Sequence, residues 1–216
     1  MEARSNVTVR ALRDLALLAG AGLAAASLWA TGLPKDEPYM VDAQTWQDEV
    51  AAAATGDWPQ DGWYRLVASE RSVEVQSTTP ADRALVPADA LFLRLPGATL
   101  KQGARPGYRY LTVLAQPKMG RDHELALGSS RFSVRVDESA KGMAYTIGYG
   151  GQVYNYVLGP FDATTTSVRF VADLDGDGQP DFLVDVDAAS YLLLSTRARP
   201  GANLPAAELF ASEGGC

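Results

Sequence analysis

The sequence predicts an all-β domain, an antiparallel sandwich or a partly open barrel, with one short helix before it and an apolar leader before that. Three observations carry this. From Trp63 onward, short runs rich in β-branched and aromatic residues follow one another, separated by clusters of Gly, Pro, Asp and Ser. Several of these runs alternate: in "RFSVRVD", Phe132, Val134 and Val136 share one face, and Arg131, Ser133 and Arg135 the other. Beyond Gly56, no stretch sustains a helical period apart from "PAAELFAS" near the end. A chain of 216 residues, 47% of them apolar, suffices for one domain with a substantial core and excludes wholesale disorder.

The leader comes first. Arg4, Arg10 and Arg13 precede an uncharged run from Leu15 to Leu33, with Ala24 and Ala26 in the A-x-A spacing of a cleavage site. Residues 1–33 therefore read as a signal peptide or a membrane anchor. The run of 19 residues is just long enough to span a bilayer if it is not removed. The expected location is extracytoplasmic: periplasmic or secreted, or held at the inner membrane through residues 15–33. Residues 34–62 read as an exposed linker, "PKDEPYMVD", and a short helix. In that helix Trp46 and Val50 lie four apart on one face and Gly56 marks the stop.

Residues 63–216 make the β domain. The strand candidates are "WYRLVA", "SVEVQST", "ALFLRL", "YRYLTVLA", "RFSVRVD", "AYTIGY", "VYNYVLG", "SVRFVAD", "DFLVDVD" and "YLLLST". Gly150 and Gly151, between the sixth and seventh, mark a tight hairpin. No repeat of fixed period is present. The single cysteine, Cys216, permits neither an internal disulfide nor a thiolate metal cage, so the fold rests on its core. A net charge of −7 without any basic run excludes nucleic acid and anionic membrane surfaces as partners.

The acidic excess peaks in "DLDGDGQPDFLVDV", where Asp173, Asp175, Asp177 and Asp181 fall within nine residues. Carboxylates this close in sequence repel unless something compensates. A hard cation such as Ca²⁺ takes six to eight oxygens, and alternate residues of a tight loop can turn their side chains inward together. On that logic Asp173, Asp175 and Asp177 supply carboxylates, Gly178 makes the sharp turn and Gln179 offers its carbonyl. Asp181 closes the loop directly or through water, while Asp185 and Asp187 face solvent.

The pattern D-x-D-x-D-G-x-x-D between two strand-like runs resembles the calcium loops of the FG-GAP family, the repeats of integrin-type β-propellers. The resemblance covers residues 173–184 and implies Ca²⁺ held by Asp173, Asp175, Asp177, the Gln179 carbonyl and Asp181. It does not imply a propeller, which needs at least four similar blades. An EF-hand is excluded: Val184 stands where its bidentate Glu would be, and the flanks are strand-like. "VADLDGD" also looks like the nucleophile strand of haloacid-dehalogenase-like phosphatases, but no Lys follows in the 35 residues after Asp181.

Signs of catalysis are sparse. His123, the one histidine, is read as a surface-loop residue between Asp122 and Glu124. Neither a G-x-S-x-G elbow nor an H-E-x-x-H helix is present. The aromatics Trp58, Trp63, Tyr64, Tyr145, Tyr149, Tyr154 and Tyr156 are read as core and cross-strand partners in preference to a glycan- or peptide-binding face. The expectation is an exported, bacterial-type β domain with a structural calcium loop, serving in binding or envelope architecture. The alternative is an extracytoplasmic hydrolase working through paired carboxylates, marked by two or three acids in a deep cleft away from the loop.

Overall fold

The computed structural model describes residues 34–53, 57–82, 84–109 and 112–209. The leader, Gly56 and Cys216 lie outside them, as does most of the second half of "PAAELFAS". The protein is an all-β molecule built from two sheets. The larger has nine strands: β1 (Tyr39–Asp42), β2 (Trp63–Ala68), β3 (Ser72–Thr78), β4 (Leu91–Arg94), β5 (Gly103–Arg109), β10 (Thr166–Ala172), β11 (Asp181–Val186), β12 (Ala189–Leu193) and β14 (Ala207–Glu208). They are ordered β1-β4-β2-β3-β5-β10-β11-β12-β14. A parallel bridge from Met40 to Leu209 brings the two edge strands together, so the sheet curls into a nearly closed barrel. The smaller sheet has β6 (Asp122–Leu127), β7 (Ser130–Ser139), β8 (Gly142–Tyr149), β9 (Gln152–Leu158) and β13 (Gly201–Asn203), ordered β13-β9-β8-β7-β6.

Packing explains the hydrophobic runs. Leu66, Val75, Leu93, Phe170, Leu183 and Leu192 fill the barrel. Phe182, Val184 and Val186, the other face of β11, meet Val134, Val136 and Ile147 of the smaller sheet. A strand buried on both faces favours apolar residues on both, so "FLV" of β11 and "YLL" of β12 read as continuous apolar runs. A third cluster lies where a short helix, α1 (Ala43–Thr45), widens into a π-helical turn at Trp46–Val50 and packs on the barrel wall. There Trp46 stacks on Phe92 at 4.0 Å between ring centroids and meets Trp63 edge-on at 5.1 Å. Trp46 and Val50 are both buried, as their spacing predicted.

Three readings of the sequence are corrected. "PYMVD" is not an exposed linker throughout, because Tyr39, Met40 and Val41 are buried in β1 and the barrel starts there. "YRYLTVLA" is not one strand: β5 ends at Arg109 and Thr112–Ala115 forms a helical turn, α2, that buries Leu114 in the core. His123 is not in a loop but on β6, opposite Val134, half-buried at a sheet edge. The hairpin at Gly150 and Gly151 is present, with φ of 58° and 74°.

Candidate metal centre

The loop from Asp173 to Pro180 joins the end of β10 to the start of β11, at one end of the barrel. Leu174 points into the barrel core and anchors the loop, and its carbonyl accepts from Lys101 N–H at 2.8 Å. Gly176 and Gly178 hold left-handed φ of 80° and 83°, which let the chain reverse between the acids. Asp175 Oδ1 accepts from Asp177 N–H at 3.3 Å and Asp177 Oδ1 from Gln179 N–H at 2.7 Å, two successive side-chain-to-backbone turns. This local bonding turns the carboxylates inward. Asp173, Asp175 and Asp177 each place an oxygen within 4.8 Å of the others, and among the described residues this is the one such group of three.

Partners from elsewhere in the fold fix the outer oxygens. Arg105, on β5, donates from Nη2 to Asp173 Oδ2 at 3.0 Å and from Nε to the Asp173 carbonyl at 2.8 Å. Thr196 Oγ1 donates to Asp175 Oδ2 at 2.7 Å, and Ser195 Oγ to Asp177 Oδ2 at 3.1 Å; both come from the 3₁₀ turn after β12. Asp181 is fully buried, its two oxygens accepting from Leu174 N–H and Ser195 N–H, each at 2.7 Å. It stands outside the group of three and ties the loop's two ends to the 3₁₀ turn. Gln179 Oε1 accepts from Ser130 Oγ of β7 at 3.4 Å, which links the loop to the smaller sheet.

The electrostatics are those of a site short of positive charge. Burial pushes the Asp175 carboxyl above its usual range and the Asp177 and Asp173 charges push it further, while the Thr196 hydroxyl and Asp177 N–H oppose. Burial also pushes Asp181 well up, with Asp175 adding to it and the Ser195 and Leu174 contacts opposing. Asp173 Oδ1 is buried and has no hydrogen-bond partner. A carboxylate oxygen in that condition costs stability unless something electropositive meets it. A cation bound between the three carboxylates would meet it and relieve Asp175 as well, so the donor set fits a hard cation.

The residues that sequence reasoning missed are Arg105, Ser195 and Thr196. Arg105 is 68 positions from its partner, so nothing local marks it. Asp185 and Asp187 stay out of the cluster but do not simply face solvent. Arg169 holds Asp185 through Nε and Nη2 at 3.0 and 2.8 Å, and Asp187 Oδ1 accepts from Thr164 N–H, Thr165 N–H and Thr165 Oγ1.

No family model, curated protein or solved structure matches this chain. Two surface depressions bear on catalysis. One, of about 350 Å³, lies beside Trp46, Gln47, Asp82 and Leu85. The other, of about 220 Å³, lies beside Glu124, Arg131, Ser133 and Gln152. The first is lined by the carboxylate of Asp82 and the second by that of Glu124. Among the described residues, no helix is long and apolar enough to cross a membrane.

Proposed function

We propose that this chain is an exported β domain in which the Asp173–Asp181 loop holds one Ca²⁺ ion as a structural element of the FG-GAP type, with a role in binding or envelope architecture. The observation that carries the metal reading is the convergence of Asp173, Asp175 and Asp177 with a buried, partnerless oxygen on Asp173. Calcium is favoured among cations because the donors are all oxygens, crowded on one short turn. Mg²⁺ demands a near-ideal octahedron and retains its waters. Gln179 and Asp181 complete the ligand set that the FG-GAP resemblance implies, Asp181 through a water or by exchanging one of its backbone contacts. Export rests on the basic flank and apolar run of residues 1–33.

Calorimetric titration of the purified domain with CaCl₂ tests the metal. One site per chain is expected, with a dissociation constant on the order of 10⁻⁴ to 10⁻³ M, as in other extracellular calcium modules. Asp175→Ala should lose it. Heat of dilution alone in the parent would reject the reading.

A further inference from the structure

We propose that Arg105 is the site's resident counter-cation: it holds the loop folded without metal and sets how tightly a divalent ion binds. This rests on the reading that the loop binds a cation, and it concerns a residue outside the loop. Arg105 lies on β5, opposite Val73, and reaches across the barrel end to Asp173. Both side chains are largely removed from water, at 13% and 16% exposure, so this pair is less screened than a surface ion pair. The contact is two-pronged, gripping backbone and side chain of the same residue, which fixes where β10 ends and the loop begins.

Its geometry divides Asp173 in two. Oδ2 is committed to the guanidinium, while Oδ1 is buried without a hydrogen-bond partner and is the oxygen left to meet an ion. Arg105 therefore performs two opposed tasks. It neutralises one of three crowded charges, which keeps the metal-free loop from springing open. It also places a fixed positive charge beside the position a metal would take. Repulsion between a unit charge and a divalent ion a few ångströms apart corresponds, even at the dielectric of water, to about a tenfold loss of affinity. Arg105 thus weakens binding while making the loop independent of it, so calcium adds stability to a site already formed.

The test compares the parent, Arg105→Met and Arg105→Lys by calorimetry with CaCl₂ and by melting in chelator. The parent is titrated first: no calcium binding there would overturn the metal reading itself, and this inference with it. If the parent binds, Arg105→Met should melt lower in chelator and bind calcium about tenfold more tightly. Unchanged or weaker binding in Arg105→Met would overturn the counter-cation role while leaving the metal reading intact. Should Arg105→Met fold only with calcium present, melting across a calcium series supplies the same affinity through linkage. Arg105→Lys keeps the charge but loses the two-pronged grip. It should melt lower in chelator with an affinity within about twofold of the parent, because charge, not shape, sets the repulsion. A tighter-binding Arg105→Lys would contradict the proposal.

Discussion

Asp187 is the clearest case of a carboxylate with a job unrelated to metal. It occupies the left-handed region at φ 48° in the turn between β11 and β12, where Asp and Asn are tolerated better than most residues. Its Oδ1 collects the backbone N–H groups of Thr164 and Thr165 together with the Thr165 hydroxyl. The Thr165 N–H, chiefly, holds its carboxyl below the usual range, with the Thr165 hydroxyl and Thr164 N–H adding and burial opposing. A depressed folded pKa means that the contribution is complete above the unfolded value, near 4, and is lost as pH falls through the folded one. Asp187→Asn keeps the backbone tolerance and removes the charge. Its melting temperature should fall below the parent's at pH 7 and converge on it below about pH 4, while the calcium response stays intact. A gap that persists unchanged into acid would show that the charge is not what matters. The convergence of Asp173, Asp175 and Asp177 was legible from spacing alone, because a tight loop is local in sequence, whereas Asp181 stands outside their group. The partners that orient them were not, since Arg105, Ser195 and Thr196 meet the loop only when three distant strands come together.

At the scale of elements, β5 shows both what sequence patterning reveals and what it hides. "GARPGYR" offers two glycines and a proline and no alternation, and only its last two residues, Tyr108 and Arg109, fell within a predicted strand. It is nonetheless a central strand between β3 and β10, in register with β3 up to Pro106 and with β10 from Gly107. Gly107 is what lets β10 approach so closely. A Cβ there would lie 2.8 Å from the Val171 carbonyl oxygen, closer than real Cβ atoms come, and 3.0 Å from the Ala172 side chain, tighter than most real contacts. Gly107→Ala should push β10 away, at a cost of about 1–3 kcal/mol from overpacking, or roughly 2–4 °C of melting temperature per kcal/mol. Because β10 runs straight into Asp173, the calcium response should weaken too. A variant that melts and binds as the parent does would mean β5 and β10 can separate freely there. β6 was hidden for a related reason, its charged outer face masking the inward period of His123, Leu125 and Leu127. The strands with both faces buried, the alternating β7 and the hairpin at Gly150 and Gly151 were legible, because burial, alternation and turn chemistry all write themselves locally. The turn Thr112–Ala115 was not, since packing of Leu114 overrode the strand-like composition of "YLTVL".

At the scale of the whole molecule, the acidic loop is a junction. It touches β5 through Arg105, the turn after β12 through Ser195 and Thr196, and the smaller sheet through Gln179 and Ser130. A ligand held there stabilises contacts between parts that are far apart in sequence, which is why metal should register in global unfolding. The apolar leader gives a separate expectation about location: in a fractionated bacterial host, the chain should be found outside the cytoplasm. Full-length protein in the soluble cytosol would refute export and leave the metal untouched.

The central claim is that this loop is a calcium site coupled to folding, and its most direct test is melting in 10 mM CaCl₂ against melting in chelator. At a calcium concentration a hundred times the dissociation constant, linkage supplies about 2.7 kcal/mol, and less at lower saturation. For a domain of this size that is a rise of roughly 5–10 °C. Mg²⁺ at the same concentration should raise it less, and Asp175→Ala should not respond to calcium at all. Equal melting temperatures for the parent in calcium and in chelator would contradict the account and leave Asp173, Asp175 and Asp177 as a metal-free turn.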